Sequence, residues 1–428
     1  MKTLAVLVLA LTTATLSQTA ASSAQAKPSP AEQSMARAAQ LIEKNPKNFE
    51  AYNALALALS RRARETSDVK FYAEAEDTLK KSFEISPGNF DGERIQVWLL
   101  LGRHEFVAAR EVALKLSKRM PDDVMIHGFL ADANAELGNY DEAEKAAQLM
   151  LDLRPGNLPG ITRAAYLREI FGDVDGALEL MNMALQSTAP SELEDAAWIL
   201  TQMAHLQLSV GKTGDAEKNL EHALVLFPGY HYALGNLAKV RIQQKRYDDA
   251  VQLLQQRYQV APHAENLYDL AEALQLAGRS EEAKKAFAEF EQKSLLETNR
   301  GDNSNRELIF YYADYAHDPL RALEVAKREF SRRHDVYTLD SYAWALHVNG
   351  QDHEARKQIE AALAVGIRDA RLLRHAGEIA LKEGDRTAAE NYLKQAADLD
   401  TSDSERARTV LVSVAAPAAS RQCAELSK

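Results

Sequence analysis

The sequence predicts an all-α solenoid of about ten helix-turn-helix units, and three observations predict it. Prolines recur at a fixed period: Pro87, Pro121 and Pro155 stand 34 residues apart, as do Pro228 and Pro262. The intervals from Pro155 to Pro190 and from Pro190 to Pro228 are 35 and 38. An alanine also follows five residues after a turn glycine at Gly138/Ala143, Gly172/Ala177, Gly211/Ala216, Gly278/Ala283, Gly350/Ala355 and Gly384/Ala389. Finally, Ala and Leu dominate an apolar content of 46%, while period-two runs of Val, Ile and aromatics are scarce. Ala and straight-chain residues lose little rotamer freedom in a helix.

Each feature has a mechanical reason. A proline ring cannot sit inside a helical hydrogen-bond ladder, so Pro87-Gly88-Asn89, Pro155-Gly156-Asn157 and Pro228-Gly229-Tyr230 end one helix and begin the next. The glycine ends the first helix of a unit. The alanine after it marks where the second helix crosses too closely for a larger side chain. Ala131, Ala165, Ala204, Ala271, Ala343 and Gly377 lie seven residues before those glycines and supply the facing small contact. Lys245/Ala250 and His317/Ala322 fit the same register with the glycine replaced.

Taken in order, residues 1–26 read as a secretory signal peptide. Lys2 gives a positive start, Leu4 to Leu11 is unbroken apolar sequence, and Ala24-Gln25-Ala26 is an A-x-A cleavage site. That run is too short to span a membrane, and no later segment could do so. Export to the periplasm or medium is therefore expected. Residues 27–48 form a leading half repeat and 49–298 an N-terminal array. The polar run Thr298 to Asn305 places a loop or hinge at 299–305, before C-terminal repeats at 306–402. Residues 403–428 read as a flexible tail, and the single cysteine, Cys423, lies there.

Small residues on both helices, a glycine turn and a closing proline together resemble the tetratricopeptide repeat family, in its exported bacterial form. The segment Phe129-Leu130-Ala131 through Leu137-Gly138-Asn139-Tyr140-Asp141-Glu142-Ala143 to Pro155 is the nearest match. The resemblance covers residues 49–402 and implies a right-handed solenoid whose first helices line a concave groove. Three departures stand out: an insertion around residues 61–70, a longer second helix between Gly102 and Pro121, and no closing proline in the last three units.

Chemistry is sparse. His104-Glu105 and His353-Glu354 lack the second histidine one turn on that a zinc face needs. Gly211-Lys212-Thr213 lacks the glycine five residues earlier that a phosphate loop requires, since Leu206 stands there. Arg300-Gly301-Asp302 is a tripeptide in a polar loop. The expectation is no catalytic residue, no metal and no cofactor. A formal net charge of −11 argues against nucleic acid.

The resemblance implies that the second, fifth, ninth, twelfth and thirteenth residues of each unit face the groove. Counting back from the turns places Tyr268, Glu272, Tyr311, Asp314, Tyr315, Asp340, Trp344 and His347 there as the candidate partner-binding set. Glu307 and Tyr337 join them, with Tyr166, Glu169 and His205 earlier and Arg371 and Arg374 in the last unit. Trp98, Phe330 and Tyr342 are expected to pack between helices. For Trp344 and Tyr311, groove exposure and packing are both open. Rings beside carboxylates suit a basic, aromatic-containing peptide. The expected function is an exported, non-enzymatic scaffold that holds protein or peptide clients in envelope assembly or secretion. The alternative is a glycan-binding accessory protein for exopolysaccharide, with polysaccharide as partner.

Overall fold

The structure is a computed structural model, and it describes residues 28–66, 68–298, 303–399 and 401–415. The expected signal peptide and residues 416–428, Cys423 among them, lie outside the described residues. Helix α1 (Pro30–Lys44) opens on Pro30, and Ser29 and Glu32 cap each other's backbone N–H groups.

Ten helix pairs follow. Unit 1 is α2 (Phe49–Thr66) and α3 (Lys70–Ile85), and unit 2 is α4 (Phe90–Gly102) and α5 (Phe106–Arg119). Unit 3 is α6 (Val124–Glu136) and α7 (Tyr140–Leu153), and unit 4 is α8 (Leu158–Ile170) and α9 (Val174–Ser187). Units 5 to 7 pair α10 (Leu193–Ser209) with α11 (Thr213–Leu226), α12 (His231–Gln243) with α13 (Tyr247–Val260), and α14 (Ala264–Leu276) with α15 (Ser280–Glu297). In unit 8, α16 (Asn305–Phe310) runs into a π-helical turn (Tyr311–Tyr315) before α17 (Pro319–Phe330). Unit 9 is α18 (Val336–Val348) and α19 (Asp352–Ala364), and unit 10 is α20 (Ala370–Lys382) and α21 (Arg386–Asp398). This is the expected all-α, right-handed solenoid. No described helix is long and apolar enough to cross a membrane.

The junction chemistry explains the period. After each proline, Asn89, Asp123 and Asn157 accept hydrogen bonds from the first free N–H groups of the next helix, at 2.7–3.1 Å. Asn157 also donates to the Met150 and Arg154 carbonyls, tying the two helices together. Within units, Lys245 and His317 take the left-handed conformation (φ 58° and 52°) that Gly138 and Gly172 adopt elsewhere, and His104 joins them at φ 56°. The small contacts are buried as expected: Ala143, Ala177, Ala204, Ala216 and Ala271 are all 0% exposed.

One expectation is corrected. Residues 403–428 are not a loose tail from their start, because α22 (Ser402–Ala415) packs on the last pair. Ala407 is fully buried and the Ser404 hydroxyl donates to the Ala396 carbonyl at 2.6 Å. A solenoid leaves its terminal apolar face uncovered unless a further helix caps it, and α22 supplies that cover. At the expected hinge, Ser304 and Asn305 are buried, and Asn305 donates to Thr298 and to Glu329 on α17.

The superhelix is wound so tightly that successive turns touch. At the α2 end, Arg64 pairs with Glu194 of α10 at 2.6 Å, and its carbonyl meets His231 of α12. The turn of unit 3 meets the α17–α18 loop: His334 N–H donates to Glu136 O at 3.1 Å and Val336 N–H to the Tyr140 hydroxyl at 3.0 Å. The turn of unit 4 lies against the α19–α20 loop, where a Cβ on Gly366 would stand 2.8 Å from Phe171 O. Lys245, in the turn of unit 6, pairs with Glu405 of α22 at 3.1 Å. Each seam joins a turn to an element about five units further on. The concave groove is thereby enclosed as a lumen.

Candidate functional site

The lumen has a volume of about 930 Å³ and is lined by the first helices of units 4 to 10 together with α22. Its rings are chiefly tyrosines: Tyr166, Tyr232, Tyr268, Tyr315 and Tyr337, with Phe310. A tyrosine presents an apolar body and a polar tip, so a wall of them can face water and still offer contact area. The hydroxyls of Tyr268 and Tyr315 donate to Glu272 at 3.1 and 2.8 Å. Those of Tyr166, Tyr232 and Tyr337 have no hydrogen-bond partner among the described residues.

Charges of both signs line the same wall, and most are paired. Arg257 bonds to Asp269 and reaches Glu265 at 3.5 Å. His205 contacts Glu169 at 2.8 Å, and that carboxylate holds the imidazole's pKa above its ordinary value. Arg371 lies 3.9 Å from Asp403 and over the Phe310 ring. Two groups stand apart. Glu307 has no side-chain partner among the described residues, and burial with the neighbouring Glu265 carboxylate pushes its carboxyl up to about 7. Lys239 projects from α12 without an ion-pair partner among the described residues and acts on Glu265 and His205 only through space. Beside them, Arg306 Nε and Asn236 Oδ1 are buried without a hydrogen bond.

Asp340 is held differently. Arg374 lies 2.9 Å from His375 Nε2, and a guanidinium can only donate, so Nε2 accepts and Nδ1 carries the proton. His375 Nδ1 then donates to Asp340 at 2.6 Å. Burial pushes the Asp340 carboxyl up to about 7 and holds the His375 imidazole well below its ordinary value.

The structure divides the candidate residues. Tyr268, Glu272, Tyr315 and Asp340 line the lumen, and so do Glu307, Tyr337, Tyr166, Glu169, His205 and Arg371. Tyr311, Asp314, Trp344 and His347 do not. The Trp344 indole N–H donates to Asp314 at 2.8 Å, and its ring stacks on His375 at 4.1 Å with Arg374 over it. Trp344 is 6% exposed. Tyr311 stacks on Phe287 and reaches Glu291, and His347 contacts Asp352 at 2.6 Å.

Two physical causes account for the difference. In unit 8 the π-helical turn inserts one extra residue, which shifts the register of everything before it. Phe310 and Arg306 thereby reach the lumen at the places to which counting assigned Tyr311 and Glu307, and Glu307 still borders it. In units 9 and 10 the register holds through Tyr337 and Asp340. Beyond them the helices converge, and the Asp314–Trp344–His375 cluster fills the space. Trp98, Phe330 and Tyr342 pack as expected, with Phe330 and Tyr342 stacked at 4.6 Å. Tyr232 and Lys239 were missed, although the second and ninth places of unit 6 are the same groove positions.

Comparison with known families matches three segments to tetratricopeptide repeat models, at residues 96–157, 207–262 and 370–403. No curated protein matches the sequence. Among solved structures, the human IFIT1 dimer with PPP-AAAA is 14% identical, with 85% of this chain and 93% of that chain covered and a TM-score of 0.48. The APC/C hetero-tetramer Cut9–Hcn1 is 14% identical over 89% of this chain and 60% of that one, at 0.45. PilW, a type IV pilus biogenesis factor, is 15% identical over 48% and 94%, at 0.41. The helix pairs and the matched segments agree, and the chain carries tetratricopeptide repeats.

Proposed function

We propose that this chain is an exported, non-enzymatic scaffold that holds an extended segment of a protein client inside its coil, in envelope assembly or secretion. Tetratricopeptide repeats indicate a protein-interaction scaffold, and the lumen says what kind of segment suits it. One observation carries the reading: within the lumen, three tyrosine hydroxyls, the Glu307 carboxyl and the Lys239 ammonium all lack a hydrogen-bond or ion-pair partner among the described residues. Polar groups enclosed without partners are costly, and an incoming chain that supplies donors, acceptors and both charges relieves that cost. A polypeptide offers a backbone donor and acceptor at every residue. The lumen's volume lies at the upper end of the range for ligand sites.

The test is affinity capture with the full chain from envelope and secreted fractions, repeated after treatment with glycan-degrading enzymes. A captured polypeptide should survive the treatment and be lost when Gln202→Trp, at a lining residue on α10, narrows the lumen. Capture abolished by the enzymes would point to polysaccharide instead. Mass spectrometry of protein recovered from those fractions should give an N-terminus at Lys27, and an intact Met1 would remove the exported part of the proposal.

A further inference from the structure

We infer that the client enters the lumen end-first, as an unfolded chain terminus bearing a basic side chain for Glu307; this rests on the lumen being the client site. In an open solenoid the groove is a trough, and an internal segment of a folded partner can be laid in from the side. Here the side is closed by backbone, not only by mobile side chains. His334 N–H bonds to Glu136 O, Val336 N–H bonds to the Tyr140 hydroxyl, and Gly138 and Gly366 leave no room for a Cβ against the opposing strand of chain. A loop of a folded protein would have to part these seams. A chain end passes along the axis without disturbing them.

Around Glu307 the cations are already engaged elsewhere. Arg257 serves Asp269 and Glu265, while Arg306 turns to Asp335 at 3.6 Å and lies over the Tyr337 ring. Glu307 is left with two carboxylates on α14, Glu265 and Asp269, raising its carboxyl, with Arg306 opposing them only through space and no hydrogen-bonded counterion among the described residues. Burial, and after it the Glu265 carboxylate, raises its pKa. A lysine or arginine side chain brought to that point would be paired on arrival, and it would remove the like-charge strain within this acidic group. Lys239 stands on the neighbouring α12, where it can meet a carboxylate or carbonyl further along the same chain.

The experiment uses the full chain, immobilised, and a pool of random twelve-residue peptides in two forms, linear and head-to-tail cyclised. Retained peptides are identified by mass spectrometry. Linear peptides should be retained and enriched in Lys and Arg, and the cyclised pool should be retained at least about tenfold less. Glu307→Gln, which keeps the side-chain shape, should lower retention of the basic linear peptides by about thirtyfold or more, the usual scale for losing a buried charge partner. Its melting temperature should not fall. Equal retention of cyclised and linear peptides would overturn end-first entry, and retention indifferent to Glu307→Gln would overturn the charge assignment. Either result, if Gln202→Trp still abolishes retention, leaves the lumen as client site. Retention that survives Gln202→Trp, or no retention of either pool, removes the lumen reading itself.

Discussion

Substituting alanine for Gly172 isolates the seam that encloses the lumen. Gly172 and Gly384 both end the first helix of a unit in the left-handed conformation, at φ 81° and 85°. An L side chain in that conformation costs roughly 1–2 kcal/mol, and the smaller entropy of the unfolded alanine chain offsets part of it. This share is common to both sites. The surroundings differ: at Gly384 nothing lies within 4 Å of an added Cβ, whereas at Gly172 the Cβ would be driven into the Gly366 carbonyl oxygen across the seam. That atom is backbone, so relief requires the α19–α20 loop to move. Overpacking of this kind costs about 1–3 kcal/mol beyond the conformational share. Because repeats couple mainly to their neighbours, a single unfolding midpoint would blur the effect. Hydrogen exchange is the better assay. Gly172→Ala should accelerate exchange at residues 366–372, nearly 200 positions away in sequence, while Gly384→Ala should leave those amides unchanged. Equal behaviour of the two variants would refute the seam.

Three further outcomes follow from the packing and the charges. Trp344→Ala should cost about 3–5 kcal/mol, as truncating a buried aromatic usually does, and calorimetry of the variant checks it. Ala143→Leu should overpack the helix crossing of unit 3 and cost about 1–3 kcal/mol, read as an earlier melting phase. For Glu307 the sign is fixed by the raised carboxyl: the fold prefers the protonated form, so the destabilisation is absent below the ordinary 4.5, grows through about 7 and is complete above it. Glu265, Asp269, Arg306 and Arg333 are the charges acting on it. At about 1.4 kcal/mol per tenfold change in proton affinity, the effect is at most about 3–4 kcal/mol. Glu307→Gln should therefore reduce the decline in melting temperature between pH 5 and pH 8. An unchanged decline would show that the carboxyl is paired.

The helix pairs were legible because their signals are local. A proline stops a helix wherever it stands, and Lys245 and His317 could be assigned as turns because register alone demands a left-handed residue there. The lumen positions were legible where one helix carries one register, as Tyr268 and Glu272 show on α14. They failed at Tyr311 because a π-helical turn adds a residue without any sequence punctuation. They failed at Trp344 for another reason: its face is right, but the neighbours that cover it, Asp314 and His375, belong to other units. The seams were invisible altogether. Gly138 and Gly172 look like any other turn glycine in the sequence, and only the pitch of the coil brings them against His334 and Gly366. The last helix was missed because Ala415 to Ser420 suggests a frayed end, while Ala407 and Ser404, which anchor α22, carry no such signal.

The enclosed lumen and end-first entry both require a closed coil, and a distance across one seam measures that closure directly. Lys245→Cys and Glu405→Cys, in a Cys423→Ser background, place two spin labels on residues whose side chains meet at 3.1 Å although 160 positions separate them. A closed coil predicts a single narrow distribution centred near 20 Å once label arms are included. In an open array the same residues would be five units apart, roughly 50 Å at about 10 Å per packed helix layer. A distribution centred near 50 Å or beyond would contradict the enclosed lumen, and with it end-first entry.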